Sequence, residues 1–321
     1  MAKTTSALSR LPLFEALAES RNVLIAGAGG GFDVFAGLPL MLALGAMGKR
    51  VRLANLSFTY LGGTDATPLD PVLYEVRPNT RGEDRYFPER ALSQWLDARG
   101  EDPSVFAFEK VGVRPLRAAY ERLVDWFAID AIVLVDGGTD ILMRGDEAGL
   151  GTPAEDMVSL AAVATLSVPT KLVACIGFGV DTFHGVSHGN FLENVAHLSA
   201  SGGFLGAFSV LPSMPEGEAF LDAVAFAQRL TPLRPSIVNG SIAAAVEGRF
   251  GDVQFTDRTS GSELFISPLM SMYWSFQLDA VAKRSLYLPA LEGTEDIFEV
   301  AARIEAFRGG VQRRPRVPIP H

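Results

Sequence analysis

Cysteine is nearly absent: Cys175 is the only one in 321 residues. No internal disulfide can form, and the chain suits a reducing compartment. Long apolar runs are missing too. No stretch of eighteen apolar residues occurs, which excludes a membrane-spanning helix on length, and residues 1–13 lack the apolar segment of a secretory signal. A concentrated basic face is the third absence. Lys and Arg number 28 against 37 Asp and Glu, a net charge of -9, whereas binding nucleic acid or an anionic membrane surface by counterion release needs the opposite sign. The expectation is a cytoplasmic chain acting on a small-molecule substrate, with no nucleic-acid or membrane partner.

What the chain has is apolar bulk, 48% of its residues, enough for a large core. Short β-branched runs at 23–26, 51–56, 131–135, 172–176 and 207–211 are bounded by Gly or Pro. Stretches of helical period at 34–47, 114–127, 153–164, 190–199 and 217–230 lie between them. Strands apolar on both faces, alternating with helices, predict a Rossmann-like α/β fold: a mostly parallel sheet with helices on both faces. Residues 57–87 are a polar stretch with one strand at 72–76, and 138–152 form a long loop of the kind that carries function. The pattern further predicts helices at 268–285 and 294–308. Residues 1–310 read as one domain, or two tightly packed halves. Residues 311–321, with Arg313-Arg314-Pro315-Arg316, read as a flexible tail or an arm onto a neighbouring subunit. A mean hydropathy of +0.21 leaves apolar surface for self-association, and a homo-oligomer is expected.

In a parallel sheet, ligands sit at the carboxyl ends of the strands. The first strand ends in Gly27-Ala28-Gly29-Gly30-Gly31-Phe32-Asp33. Gly29, Gly30 and Gly31 before a helix offer N–H groups to a phosphate or carboxylate. The loop departs from a dinucleotide fingerprint, because its third glycine position is Phe32 and the second strand ends in Asn55 rather than an acid. The next strand ends bear Asp136-Gly137-Gly138-Thr139-Asp140 and Gly177-Phe178-Gly179-Val180-Asp181. Asp33, Asp140 and Asp181 each follow glycine at a strand end. Converging carboxylates repel unless something cationic or protonated lies among them, so Asp136, Asp140 and Asp181 are expected to hold a divalent metal, Mg2+ or Mn2+, or the substrate's hydroxyls. Arg144 is the alternative neutraliser, and capping of the following turns is the purely structural use of each Asp. Glu155 belongs by pattern to a capping box, Thr152-Pro153-Ala154-Glu155.

His184 and His188 follow Asp181 on a glycine-interrupted segment, and either is a candidate acid. Asn239 opens a later helix, and Arg258 with Ser260 could grip an anion. Met270, Met272, Tyr273, Trp274 and Phe276 read as core at helical spacing, and Cys175 as a core residue.

Taken together, residues 27–33, 136–140, Arg144-Gly145-Asp146-Glu147, Gly151-Thr152-Pro153, 177–179, Arg258-Thr259 and Ser267-Pro268-Leu269-Met270 resemble a prokaryotic family catalogued as domain of unknown function 1152. The resemblance covers nearly the whole chain and implies one continuous domain; no activity comes with it. The residues themselves point to an enzyme on a small polar metabolite bearing a sugar, nucleoside or phosphate, working by metal-assisted hydrolysis or group transfer. Asp136, Asp140, Asp181, His184 and His188 are its expected catalytic residues. Two other readings stay open: a metal-independent transferase or lyase on a cationic or nucleotide substrate, and a ligand sensor or assembly protein.

Overall fold

A computed structural model of the chain describes Ala7, residues 9–259, Gly261 and residues 263–317. Its strands are β1 (Asn22–Gly27), β2 (Arg50–Leu56), β3 (Thr67–Asp70), β4 (Leu73–Val76), β5 (Val105–Phe108), β6 (Ala131–Asp136), β7 (Thr170–Cys175), β8 (Phe204–Ser209), β9 (Gly251–Asp252), β10 (Phe265–Ile266) and β11 (Met272–Gln277). Nine form one sheet in the order β3-β4-β5-β2-β1-β6-β7-β11-β8, and β9 pairs with β10 apart from it. The central strands β5, β2, β1, β6 and β7 run parallel. Antiparallel pairings flank them: β4 and then β3 beyond β5, β11 and then β8 beyond β7. The chain has the Rossmann-like α/β fold that its alternating pattern predicts.

The central runs are apolar throughout because both faces are covered. Val23, Ile25, Val133 and Val135 enter the core shared with helices Leu38–Ala46, Pro88–Ala98 and Pro215–Leu230. Leu24, Ala26, Ile132 and Leu134, one residue out of phase, join the core under helices Val113–Phe127, Pro153–Ala164 and Ile297–Gly310. A period of two thus fills two cores from one strand, with about 2 kcal/mol for each fully buried aliphatic side chain.

From β1 the chain builds outward through β2 to β5, then returns through β6 to the other side of β1. The carboxyl ends of β1 and β6 border the crevice where sheets of this kind take ligands.

Three expectations are corrected. Residues 34–47 are not one helix: Asp33–Ala36 stops at Gly37, and Leu38–Ala46 restarts with Pro39 in its first turn, where the missing N–H costs nothing. Residues 268–285 are not one helix either. They form a short turn, then β11, then helix Leu278–Arg284. The run Met272-Tyr273-Trp274-Ser275-Phe276-Gln277 is aromatic-rich and suits a strand. It sends Tyr273 to one core and Phe276 to the other, and the Tyr273 hydroxyl donates to the Ala36 carbonyl.

Finally, residues 311–317 fold back on their own chain. The Arg314 amide donates to the Asp146 carbonyl at 2.7 Å. Its guanidinium pairs with Asp146 at 2.9 Å and with Glu193, and the Val317 carbonyl accepts from the Ser187 hydroxyl at 2.6 Å. Residues 318–321 lie outside the described residues. Among the described residues no helix is long and apolar enough to cross a membrane.

Candidate functional site

The glycine loop after β1 is a tight reversal. Gly30 and Gly31 take φ of 85° and 61°, the left-handed region that a side chain strains. The turn brings Asp33 back over the loop, where its Oδ2 accepts the Gly29 N–H at 2.7 Å. The Gly31 N–H is used by the Leu56 carbonyl at 3.1 Å. Beneath the loop, buried Asn55 donates from Nδ2 to the Gly31 carbonyl at 2.8 Å and to Glu89 Oε1 at 2.7 Å. Burial pushes Glu89 up to about 7. The loop thus holds its own carboxylate where an external anion was expected, and two of its three glycine amides are engaged.

Four more aspartates meet Asp33. Asp136 ends β6, its Oδ2 accepting the Ile141 N–H at 3.2 Å. Asp140 starts a short turn, Asp140–Leu142, and its Oδ2 takes the Thr152 N–H at 2.7 Å and the Thr152 hydroxyl at 3.3 Å. Asp181 lies in the turn Val180–His184, its Oδ2 taking the Thr139 N–H at 2.7 Å. Asp156 comes from the first turn of helix Pro153–Ala164. Oxygens of Asp33, Asp136 and Asp156 all lie within 4.8 Å of one another.

The glycines make this crowding possible. A Cβ on Gly29 would stand 2.7 Å from Asp33 Oδ2 and 3.0 Å from both Asp156 oxygens. A Cβ on Gly138 would stand 2.7 Å from Asp181 Oδ2 and 3.0 Å from Asp136 Oδ1. The carboxylates pack where any larger residue would place its side chain.

These groups line a cavity of about 570 Å³, with Phe58, Tyr86, Phe183, His184, Arg234 and Glu263 completing its charged and aromatic walls. Burial first, and mutual repulsion with it, raises the aspartates. Asp33 moves up to about 8; Asp136, Asp156 and Asp181 rise well above the usual carboxylate range. Asp140 rises too, against the pull of its Thr152 hydrogen bonds. With no cation among them, protons must hold the group together. Asp156 is the extreme case: it is 2% exposed, and its Oδ1 has no hydrogen-bond partner among the described residues. A buried polar atom left unpaired is costly and calls for an explanation.

The predicted site residues divide. Gly29, Gly30, Gly31, Asp33, Asp136, Asp140, Asp181 and the exposed His184 share the cavity. Of the predicted metal ligands only Asp136 belongs to the closest trio; Asp140 and Asp181 stand on the same wall. His188 is not among the lining residues. It begins helix His188–Ala200, stacks on Phe178 at 4.9 Å, and lies 3.3 Å from the Thr182 hydroxyl. Burial and the neighbouring Arg316 push its pKa down. Arg144 pairs with Asp146 at 3.3 Å, outside the cavity. Asn239 donates to the Phe32 carbonyl at 3.0 Å and so ties helix Ile237–Val246 to the glycine loop. The backbone of Arg258 lies in the turn Asp257–Thr259; its side chain and Ser260 lie outside the described residues.

Asp156 is the residue that sequence reasoning missed. The capping-box pattern drew attention to Glu155, yet the box does not form: Thr152 turns its hydroxyl to Asp140, and Glu155 lies 3.8 Å from the Lys110 ammonium. The available signal was the company Asp156 keeps, since residues 156–163 (Asp156-Met157-Val158-Ser159-Leu160-Ala161-Ala162-Val163) are buried without a break. Phe58, Tyr86, Phe183 and Arg234 were also unpredicted.

Residues 65–310 match the family described as "Protein of unknown function (DUF1152)". The match takes in Asp136, Asp140, Asp156 and Asp181 and begins after the glycine loop. Among curated proteins none matches the chain.

Proposed function

The chain belongs to the DUF1152 family of proteins of unknown function, and from its site we propose that it is a divalent-metal-dependent hydrolase or group transferase acting on a small polar metabolite that bears a phosphate or sugar. The observation that carries this reading is the meeting of Asp33, Asp136 and Asp156 oxygens within 4.8 Å, with Asp156 Oδ1 buried and unpaired. Oxygen-only ligands suit Mg2+ or Mn2+. One such ion would replace the protons that the buried carboxyls otherwise retain.

The ion supplies Lewis acidity and an acidified water. The chain's own groups do the rest. Asp33, Asp136 and Asp156 hold the charge at the switch point of the sheet. Asp140 and Asp181 stand beside them, and the hydrogen bonds found for both go to Oδ2, leaving Oδ1 to take a proton from the attacking water. His184, in the same short turn as Asp181, returns a proton to the leaving oxygen.

The test is a screen of metal-stripped protein against phosphate esters and glycosides, with Mg2+ or Mn2+ added back. Turnover is expected only with metal, and Asp140→Asn is expected to lower it by roughly 10²–10⁴-fold. Turnover indifferent to both chelator and the Asp140 substitution contradicts the proposal. Chelator-indifferent binding of an amine or guanidinium would instead favour a cationic substrate, a reading supported by the excess of carboxylates over arginine among the described residues of the cavity wall.

A further inference from the structure

Two features of the cavity have no part in holding a metal: the exposed ring of Phe183, and an arginine with no carboxylate partner among the described residues. Phe183 is 80% exposed. It sits in the turn Val180–His184, which is framed by Gly179 and Gly185 at φ of 95° and 93°. Its one ring neighbour found is His184, edge-on at 5.3 Å. A short turn bounded by a left-handed glycine at each end thus presents an exposed phenyl ring in the cavity that the carboxylates line.

On the far side, Phe58 is 44% exposed and follows β2, its ring edge close to where side chains on Gly30 and Gly31 would stand. The sheet order places the ends of β2 and β7 on opposite sides of the β1–β6 crevice. Aromatic walls therefore flank the aspartates from both sides.

Arg234 lines the same cavity, and no ion pair of its guanidinium is found among the described residues. It precedes helix Ile237–Val246, and Arg234 and Phe183 are both lining residues of the one cavity. A guanidinium with no ion pair among the described residues, in a cavity lined by five aspartates, suits an anion that arrives with the ligand.

We infer that the substrate is a ring-bearing phosphate ester, its phosphate held between the aspartate-bound cation and Arg234 and its ring stacked on Phe183. This rests on the metal reading above. The ring gives nothing to a bare phosphate, and the guanidinium gives nothing to a linear amine. Stacking on an exposed aromatic face favours a planar base or the apolar face of a sugar ring. A cavity of about 570 Å³ is of ordinary size for a metabolite site.

The experiment is calorimetric titration of Mn2+-loaded protein with AMP, CMP, glucose 6-phosphate, ribose 5-phosphate and inorganic phosphate, after Mn2+ binding itself has been measured. Phe183 and Arg234 are exposed, so their variants keep the fold. The ring-bearing esters are expected to bind roughly tenfold or more tightly than inorganic phosphate. Phe183→Ala is expected to erase that advantage without weakening inorganic phosphate, whereas Arg234→Ala weakens every phosphate. The nucleotides against the sugar phosphates tell which ring the wall prefers. If Mn2+ binds but no ester exceeds inorganic phosphate, or Phe183→Ala changes nothing, this inference is overturned and the metal site stands. If Mn2+ does not bind, both fall together.

Discussion

Thr152 gives both its backbone N–H and its hydroxyl to Asp140 Oδ2, at 2.7 and 3.3 Å. That pair of bonds fastens the start of helix Pro153–Ala164 to the loop after β6. One turn into the same helix, Asp156 meets Asp33 and Asp136. The helix is therefore set by a contact to the site rather than by an internal cap.

Thr152→Val removes the hydroxyl and keeps the N–H. The expected cost is about 1 kcal/mol, the worth of one hydrogen bond to a buried carboxyl, read as a lower denaturant midpoint at unchanged slope. Thr152→Ser should restore most of it.

The glycines should be as consequential as the acids. Gly29 has no positive φ, so an alanine there meets no backbone strain, yet its Cβ would displace the carboxylates of Asp33 and Asp156. Gly29→Ala is expected to stay folded and to bind metal roughly 10–100-fold more weakly, the scale seen when the groups supporting a metal's ligands are disturbed. Titration with Mn2+ followed by its paramagnetic signal checks this.

Glu89 gives the pH dependence a sign. Its carboxyl is buried under the glycine loop and raised from 4.5 to about 7, so the folded state keeps a proton that the unfolded state releases. The stabilisation is fully present below about pH 4.5 and is lost as pH rises through 7, with a full span of about 3 kcal/mol. Glu89→Gln removes this component. Relative to wild type, the variant should gain stability between pH 5 and pH 8 in urea unfolding; an unchanged difference across that range contradicts the assignment.

How much of this was legible in the sequence depended on the physical kind of signal. The runs that became β1, β2, β6 and β7 announced themselves because strands buried on both faces tolerate little but aliphatic residues. The loops after β1, β6 and β7 could be placed on one rim from parallel topology alone. The strand β11 was not legible as such: Met272, Tyr273, Trp274 and Phe276 fit a helical stripe as well as a strand, and only pairing between β7 and β8 decides. Asp156 escaped because its neighbours imitate a capping box, and its place in the aspartate cluster depends on a long-range approach to Gly29. Phe183 and Arg234 look like ordinary surface residues until the cavity is assembled around them.

The central claim is that Asp33, Asp136 and Asp156 bind a divalent cation, and thermal unfolding of chelator-stripped protein tests it most directly. Wild type and Asp156→Asn are melted with and without millimolar Mg2+ or Mn2+. A ligand bound only by the native state raises the midpoint by mass action, worth about 2.7 kcal/mol at a hundred times the dissociation constant. Wild type should show that rise. Asp156→Asn should melt no lower than wild type without metal, since it relieves a buried unpaired carboxyl, and should not respond to metal. A wild type whose midpoint is unmoved by either ion, or a variant that responds as strongly as wild type, would contradict the claim.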